Sequence, residues 1–119
     1  MIAAHCYIID MDHGTSADKK ISEQDNSVSP VVIGKDCWLG ANVTVLKGSV
    51  IEDGAVIGAK SLVKGVVKEN TINVGIPCKQ IKEREYNIKG IVLVGSSGIM
   101  TLFLQHLYEH IFELFNMLI

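Results

Sequence analysis

The sequence predicts an all-β solenoid, in which short strands wind around one shared apolar core. Branched aliphatic residues recur at every sixth position through the middle of the chain: Ile33, Leu39, Val45, Ile51, Ile57 and Val63. Four residues after each of them stands a small or β-branched residue: Cys37, Val43, Ser49, Ala55, Ser61 and Val67. Such a period fits neither the turn of an α-helix nor the simple alternation of a two-faced strand. It fits hexapeptides that each supply one flat side of a coil, with both kinds of residue pointing inward.

Two interruptions of the repeat organise the rest of the chain. Residues 10–30 form a polar insertion, and long insertions into a regular scaffold commonly carry function. Gly75-Ile76-Pro77 ends the coil, because proline has no N–H for a strand ladder and glycine permits a turn. We therefore expect a solenoid domain at residues 1–86 and a separate tail at residues 87–119.

The tail is predicted to contain a strand, a Gly-Ser-Ser-Gly turn and a long apolar α-helix. Residues 99–119 have the length of a membrane span, but they contain side chains that are costly inside a bilayer: His106, Glu109, His110 and Glu113. We expect the helix to pack on the solenoid or a neighbour, or to contact a membrane surface. The same four residues resemble an inverted zinc-protease pattern. We interpret them as the polar stripe of an amphipathic helix and predict no metal site.

Net charge and cysteine spacing argue against several classes of protein. The 119 residues carry a net charge of −2 with both signs interspersed, which argues against a nucleic-acid-binding surface. The three cysteines, Cys6, Cys37 and Cys78, are far apart and form no Cys-x-x-Cys pair. This pattern favours the reducing cytoplasm over a disulfide scaffold or a zinc site. No basic segment followed by an apolar run opens the chain, so we expect no secretory leader.

Three segments carry a resemblance to a known family. Residues 33–46 read IGKDCWLGANVTVL, residues 57–63 read IGAKSLV, and residues 75–82 read GIPCKQIK. They resemble the hexapeptide-repeat acyltransferases, in particular the C-terminal half of the galactoside/maltose O-acetyltransferase branch and its relatives that acetylate bacterial surface polysaccharides. The resemblance implies a left-handed parallel β-helix of triangular section, a homotrimer and acetyl-CoA as co-substrate.

The number of coils bears on stability. Residues 33–68 supply six hexapeptides, or two triangular coils, and residues 2–9 are expected to add part of one more. A solenoid needs about three stacked repeats before burial outweighs chain entropy. We therefore expect partner subunits to support the fold, and the chain resembles an N-terminally truncated family member.

His13 is the predicted catalytic base. A neutral imidazole suits the removal of a proton from a hydroxyl at physiological pH, although Asp-His-Gly also reads as an ordinary surface turn. The resemblance implies that the histidine of this loop activates the acceptor directly, without an acyl-enzyme. Asp10 or Asp12 is predicted to hold the imidazole tautomer.

The donor site is predicted on the repeats themselves. Trp38 occupies an outward position and suits the wall of a pantetheine site, with a subunit-interface anchor as the alternative. The resemblance implies that Ala41 and Ala59 line the donor groove, where small side chains let backbone amides reach the pantetheine. It also implies that Lys79 and Lys82, and more weakly Lys64, meet the coenzyme A phosphates; a solvated charged face is the alternative.

The predicted function is acetyl transfer from acetyl-CoA to a hydroxyl of a sugar or surface-polysaccharide precursor in the cytoplasm. The alternative is a non-catalytic β-helix remnant or binding module, because the family draws acceptor-binding residues from coils that precede residue 1 here. A γ-class carbonic anhydrase is excluded, since its three histidines come from neighbouring coils and none occurs between His13 and His106.

Overall fold

The computed structural model describes residues 1–88, 91–93 and 111. The chain divides into two compact units, Met1–Lys82 and Glu83–Ile119. The first unit is a parallel β-helix built from very short strands. This confirms the predicted all-β solenoid for the first unit.

Three sheets form the sides of the β-helix, here named A, B and C in the order in which the chain visits them. Side A contains β5 (Trp38–Leu39), β8 (Val56–Ile57), β11 (Thr71–Val74) and β12 (Lys79–Glu83). Side B contains β1 (Tyr7–Ile8), β6 (Thr44–Val45) and β9 (Leu62–Val63). Side C contains β4 (Val32–Ile33), β7 (Val50–Ile51) and β10 (Val66–Val67). A single parallel β-bridge between Ile2 and Leu39 places Ile2 of the first coil on side A. Residues 2–9 therefore extend the solenoid as expected.

The core consists of the inward-pointing aliphatic rows. Leu39, Val45 and Ile51 in the second coil are fully buried, and Ile57 and Val63 in the third are 1% exposed. Successive coils place these residues in register, as in the pairs Leu39 with Ile57 and Val45 with Val63. Because each row stacks directly on the next, the hexapeptide spacing translates into a continuous apolar core.

The predicted position of Val67 is wrong. The sequence pattern assigns it to the row of smaller residues, but it lies opposite Ile51 in the aliphatic row of side C. The cause is the corner between sides B and C, which takes four residues in the second coil (46–49) and only two in the third (Lys64 and Gly65). The register therefore moves by two residues after Val63.

The corners repeat one backbone conformation from coil to coil. At the corner between sides A and B, His5, Asn42 and Lys60 have φ of 59°, 57° and 60°. Left-handed backbone is unfavourable for residues with a Cβ, and asparagine tolerates it better than lysine. The stacked corners therefore store a small strain at Lys60.

Polar residues close the far end of the core. Asn73 occupies the row of Leu39 and Ile57 and is only 4% exposed. Its Nδ2 donates to Thr71 Oγ1 at 2.8 Å, and Thr71 Oγ1 donates to the Lys68 carbonyl at 2.7 Å. The predicted terminating turn follows, and the Cys78 N–H donates to the Leu62 carbonyl at 2.8 Å, which covers side B of the third coil.

The polar insertion leaves the solenoid at the corner between sides B and C of the first coil. Within it, β2 (Met11–Asp12) and β3 (Ser27–Val28) form an antiparallel hairpin. A 3₁₀ turn, Ile21–Glu23, lies in the connection. The hairpin replaces the corner that Leu46–Ser49 forms in the second coil, and it therefore stands directly next to that corner.

The second unit begins with an antiparallel pair, β13 (Tyr86–Ile88) and β14 (Ile91–Leu93). The predicted domain boundary is residue 86, whereas the compact units divide after Lys82. The predicted Gly-Ser-Ser-Gly turn lies outside the described residues, as does the predicted helix apart from Ile111. Within the described part of the chain, no helix is long and apolar enough to cross a membrane.

Candidate active site

The hairpin carries the predicted base. His13 directly follows β2 and is exposed to solvent. Its neighbour Asp12 lies opposite Ser27 in the hairpin ladder. The site therefore places an accessible imidazole on a segment whose base is held by strand pairing.

Lys47 ties this hairpin to the second coil. Its Nζ lies 3.2 Å from Asp12 Oδ2 and donates to Ser27 Oγ at 2.7 Å. The lysine side chain is 26% exposed, while Asp12 is 57% exposed. The adjacent Gly48 N–H donates to the Ser29 carbonyl at 3.0 Å. Backbone and side-chain contacts thus join the corner of the second coil to the base of the hairpin.

Gln24 organises the outer part of the same insertion. Its Oε1 accepts from the Ser16 N–H at 2.8 Å, and its Nε2 donates to the carbonyls of Ser16 and Lys19 at 2.9 and 3.1 Å. Gly14 lies so close that a Cβ there would fall 2.7 Å from Gln24 Oε1 and 2.8 Å from Gln24 Cβ. A single side chain therefore fixes the turn that follows His13.

Of the two predicted partners of His13, only Asp12 has its carboxylate engaged by another residue. The Asp12 carboxylate faces Lys47, and the Asp10 carbonyl accepts from the Ser29 N–H at 2.8 Å while its side chain is exposed. No hydrogen bond joins either carboxylate to the imidazole among the contacts of residues 1–88. The tautomer-holding role of Asp10 or Asp12 stays a prediction.

The predicted donor residues lie at another part of the solenoid. Trp38 points outward from side A and is 52% exposed, in ladder register with Val56. Ala41 and Ala59 stack at the corner between sides A and B, where the Lys60 N–H donates to the Ala41 carbonyl at 2.8 Å. At the adjacent Gly40, a Cβ would lie 2.6 Å from the Ala59 nitrogen. Gly40 is buried, and this corner has no room for a side chain at that position.

The predicted lysines fall into two groups. Lys79 and Lys82 lie on β12 of side A and are exposed. Lys64 lies at the corner between sides B and C in the third coil, one coil beyond Lys47. His13 lies in the insertion at the corner between sides B and C, whereas Trp38 lies on side A. Within one copy of the chain, no single strand or corner contains both residues.

A groove on side C is lined by acidic residues, in contrast to the lysines predicted for the donor site. It encloses about 460 Å³ and is lined by Val32, Val50 and three acidic residues, Glu52, Asp53 and Glu69. Two of the carboxylates already accept from backbone: Asp53 from the Lys35 N–H at 2.7 Å and Glu52 from the Glu69 N–H at 2.9 Å. Their negative charge does not suit coenzyme A phosphates. In the described residues no group of three histidine, cysteine or acidic side chains could hold a metal ion.

Sequence reasoning missed Lys47 and Gln24. The hexapeptide register does locate Lys47 at the corner next to the insertion, and this was the available signal. A lysine in a turn otherwise looks like a solvated charge, and Gln24 carries no pattern at all.

Comparison with known proteins agrees with this fold. The family model for bacterial transferase hexapeptides (six repeats) matches residues 30–65. WbbJ of Escherichia coli, a protein named for lipopolysaccharide biosynthesis O-acetyl transfer, is 39% identical over 97 residues, which are 75% of this chain and 50% of the relative. The chain therefore spans about half the length of this relative.

Solved structures show the same correspondence. The crystal structure of a maltose O-acetyltransferase from Clostridium difficile has a TM-score of 0.66 and 37% identity, covering 72% of this chain and 46% of that one. A galactoside acetyltransferase in complex with coenzyme A shares the fold at a TM-score of 0.60 and 24% identity, covering 79% of this chain and 52% of that one. On these matches, together with the inward aliphatic rows, residues 30–65 are a repeat region of the bacterial hexapeptide-repeat transferase family.

Proposed function

We propose that this chain is an acetyltransferase that moves an acetyl group from acetyl-CoA to a hydroxyl of a sugar or surface-polysaccharide precursor. It would act as a homotrimer of left-handed β-helices in the cytoplasm. Its three cysteines are free thiols, which is the state that the reducing cytoplasm maintains. The observation that carries the proposal is an exposed histidine on an anchored insertion of a hexapeptide-repeat transferase fold.

The proposed chemistry needs one proton carrier. Neutral His13 accepts the proton of the acceptor hydroxyl as its oxygen attacks the thioester carbonyl. The tetrahedral oxyanion that forms is stabilised by backbone N–H groups. The C–S bond then breaks, and the leaving thiolate takes the proton from the imidazolium. The products are an acetyl ester and free coenzyme A, with His13 neutral again.

The donor would lie along the corner between sides A and B. The exposed indole of Trp38 offers an apolar wall, and the small, exposed side chain of Ala59 leaves room for a ligand to approach this corner. Lys79 and Lys82 supply positive charge on side A for the phosphates. These features support acetyl-CoA as co-substrate.

The separation of base and donor residues supports a site between copies. His13 is carried by the corner between B and C, and Trp38 by side A, so a neighbouring copy would complete each site. Exposed outward apolar residues are available for such contacts, among them Val32 at 51% and Val66 at 66% exposure.

A binding module without turnover is the second candidate. The inward residues Ile2 and Ile8 of the first coil are 55% and 41% exposed, so this end of the core is open. Residues 1–9 contain neither a carboxylate nor an amide side chain that could bind an acceptor.

Incubation with acetyl-CoA and a panel of mono- and disaccharides separates the two candidates. Mass spectrometry would follow the acetylated acceptor, native mass spectrometry the oligomer, and calorimetry the binding of acetyl-CoA. The proposal predicts an acetyl ester from at least one acceptor and a trimeric species. Binding of acetyl-CoA with no ester from any acceptor would contradict it and favour the binding module.

A further inference from the structure

We infer that Lys47 is the positioning residue for His13, acting through Asp12 and Ser27 at the base of the hairpin. The inference rests on the proposed role of His13 as the base. It assigns Asp12 to the anchor of the loop, in contrast to a direct contact with the imidazole.

The first support is the geometry around Lys47. Its ammonium reaches both strands of the hairpin at a single ladder position, because Asp12 on β2 and Ser27 on β3 are register partners. The ammonium also lies 3.4 Å from the Ser27 carbonyl oxygen. One cation therefore clamps the two strands to each other and to the second coil.

The second support is the position of His13 between two fixed residues. On one side, Asp12 is held by Lys47. On the other, Gly14 packs against Gln24, whose amide is bonded into the turn on both its oxygen and its nitrogen. A catalytic base must be held near its productive geometry. Since His13 itself has no hydrogen bond to another residue in the range 1–88, its placement depends on these neighbours.

The third support is the partly enclosed setting of the lysine. The Lys47 side chain is 26% exposed, whereas both partners of the other surface ion pair of the insertion, Lys20 and Glu23, are 79% and 59% exposed. Fully exposed pairs contribute little, so the Lys20–Glu23 pair is expected to be dispensable. A charge-assisted bond that is partly shielded from water is stronger.

The test compares the wild-type full chain with three variants. Lys47→Met keeps the aliphatic stem and removes the charge, while Lys47→Arg keeps the charge. Lys68→Met is the control, because it removes an exposed lysine elsewhere. Trypsin cleavage after Lys19 and Lys20 reports release of the hairpin and needs no turnover. We expect about tenfold faster cleavage in Lys47→Met, with Lys47→Arg and Lys68→Met close to wild type. Equal cleavage in all four proteins would overturn the anchor.

The link to His13 has two further readouts. The imidazole NMR signal of His13, assigned by its loss in His13→Asn, should move in Lys47→Met and stay in Lys68→Met; an unmoved signal would overturn the positioning role. In the assay, kcat should fall about tenfold with KM for acetyl-CoA and the melting temperature unchanged. If the wild type makes no ester, the proposed function fails, while cleavage and NMR still decide the inference.

A double-mutant cycle separates anchoring from direct contact. If Asp12 acts through Lys47, Asp12→Asn should have little further effect on the His13 signal or on cleavage in the Lys47→Met background. If Asp12 contacts the imidazole independently, the two effects should add, and this result would contradict the inference.

Discussion

Ile33 and Ile51 are paired in register on neighbouring coils, and both point into the same core, yet only Ile51 is fully buried. Ile33 belongs to the first coil and packs against the core with part of its surface exposed. Depth along the solenoid axis thus decides burial for two residues of identical type and orientation.

Truncation of these two isoleucines should therefore have unequal costs. Ile51→Ala is expected to lower the free energy of unfolding by about 2–5 kcal/mol, because it leaves a cavity in a closed core. Ile33→Ala should cost less, since solvent already reaches its side chain. Chemical denaturation of the two variants, which control for each other, measures the difference. Equal losses would contradict the open first coil.

Ser61 is expected to stabilise the end of the solenoid through its hydroxyl. Its Oγ donates to the Gly58 carbonyl at 2.7 Å and accepts from the Gly75 N–H at 3.1 Å. Ser61→Ala leaves Gly75 without this acceptor and should cost about 1–3 kcal/mol. Ser49→Ala is the matched control, since the Ser49 hydroxyl makes longer bonds of 3.3 Å. A larger loss in Ser49→Ala would contradict this ranking.

Alkylation of Cys78 should require a higher pH than alkylation of a free thiol. Burial raises the pKa of the Cys78 thiol, and the Ser61 side chain partly opposes this rise. The thiolate is the reactive form, so the rate of modification of the Cys78 peptide should reach its midpoint above that of a short cysteine peptide with blocked termini. Ser61→Ala should move the midpoint further upward. A midpoint at or below that of the blocked peptide would contradict the burial of this thiol.

Relief of backbone strain should stabilise the corner between sides A and B. Lys60 has φ of 60°, next to Asn42 in the same stack. Lys60→Asn is expected to raise the free energy of unfolding by up to about 1 kcal/mol, because asparagine adopts this conformation more readily. Lys68→Asn, at an exposed position without positive φ, controls for the loss of charge. A destabilised Lys60→Asn variant would show that the lysine side chain contributes at this corner.

Trp38 should contribute to the donor site without supporting the fold. Trp38→Ala is expected to raise KM for acetyl-CoA about tenfold, through loss of an apolar wall, with the melting temperature unchanged. Tyr7→Ala removes an exposed outward aromatic residue from side B and should leave KM unchanged. Loss of the oligomer in Trp38→Ala, seen by native mass spectrometry, would instead assign the indole to a subunit interface.

The fold could be predicted because the period of the aliphatic residues is itself a structural quantity. Leu39 and Ile57 stack because eighteen residues complete one coil at that point. The register of Val67 could not be predicted, since the shorter corner at Lys64 and Gly65 leaves no mark in composition.

The candidate site was only partly predictable. The family resemblance pointed to His13, and the structure places it on an exposed, anchored hairpin. The pairing of Lys47 with Asp12 spans 35 residues and depends on how coils stack. Only the hexapeptide register, which places Lys47 at the corner beside the insertion, distinguishes it from the other lysines.

The most direct test of the account compares acetyl transfer by wild type, His13→Asn and Thr15→Ala, with the best acceptor from the saccharide panel. Thr15 is an exposed neighbour in the same insertion and controls for disturbance of the loop. We predict a loss of about a hundredfold or more in kcat for His13→Asn, with acetyl-CoA binding intact, and wild-type rates for Thr15→Ala. Undiminished kcat in His13→Asn would contradict the role of His13 as the base.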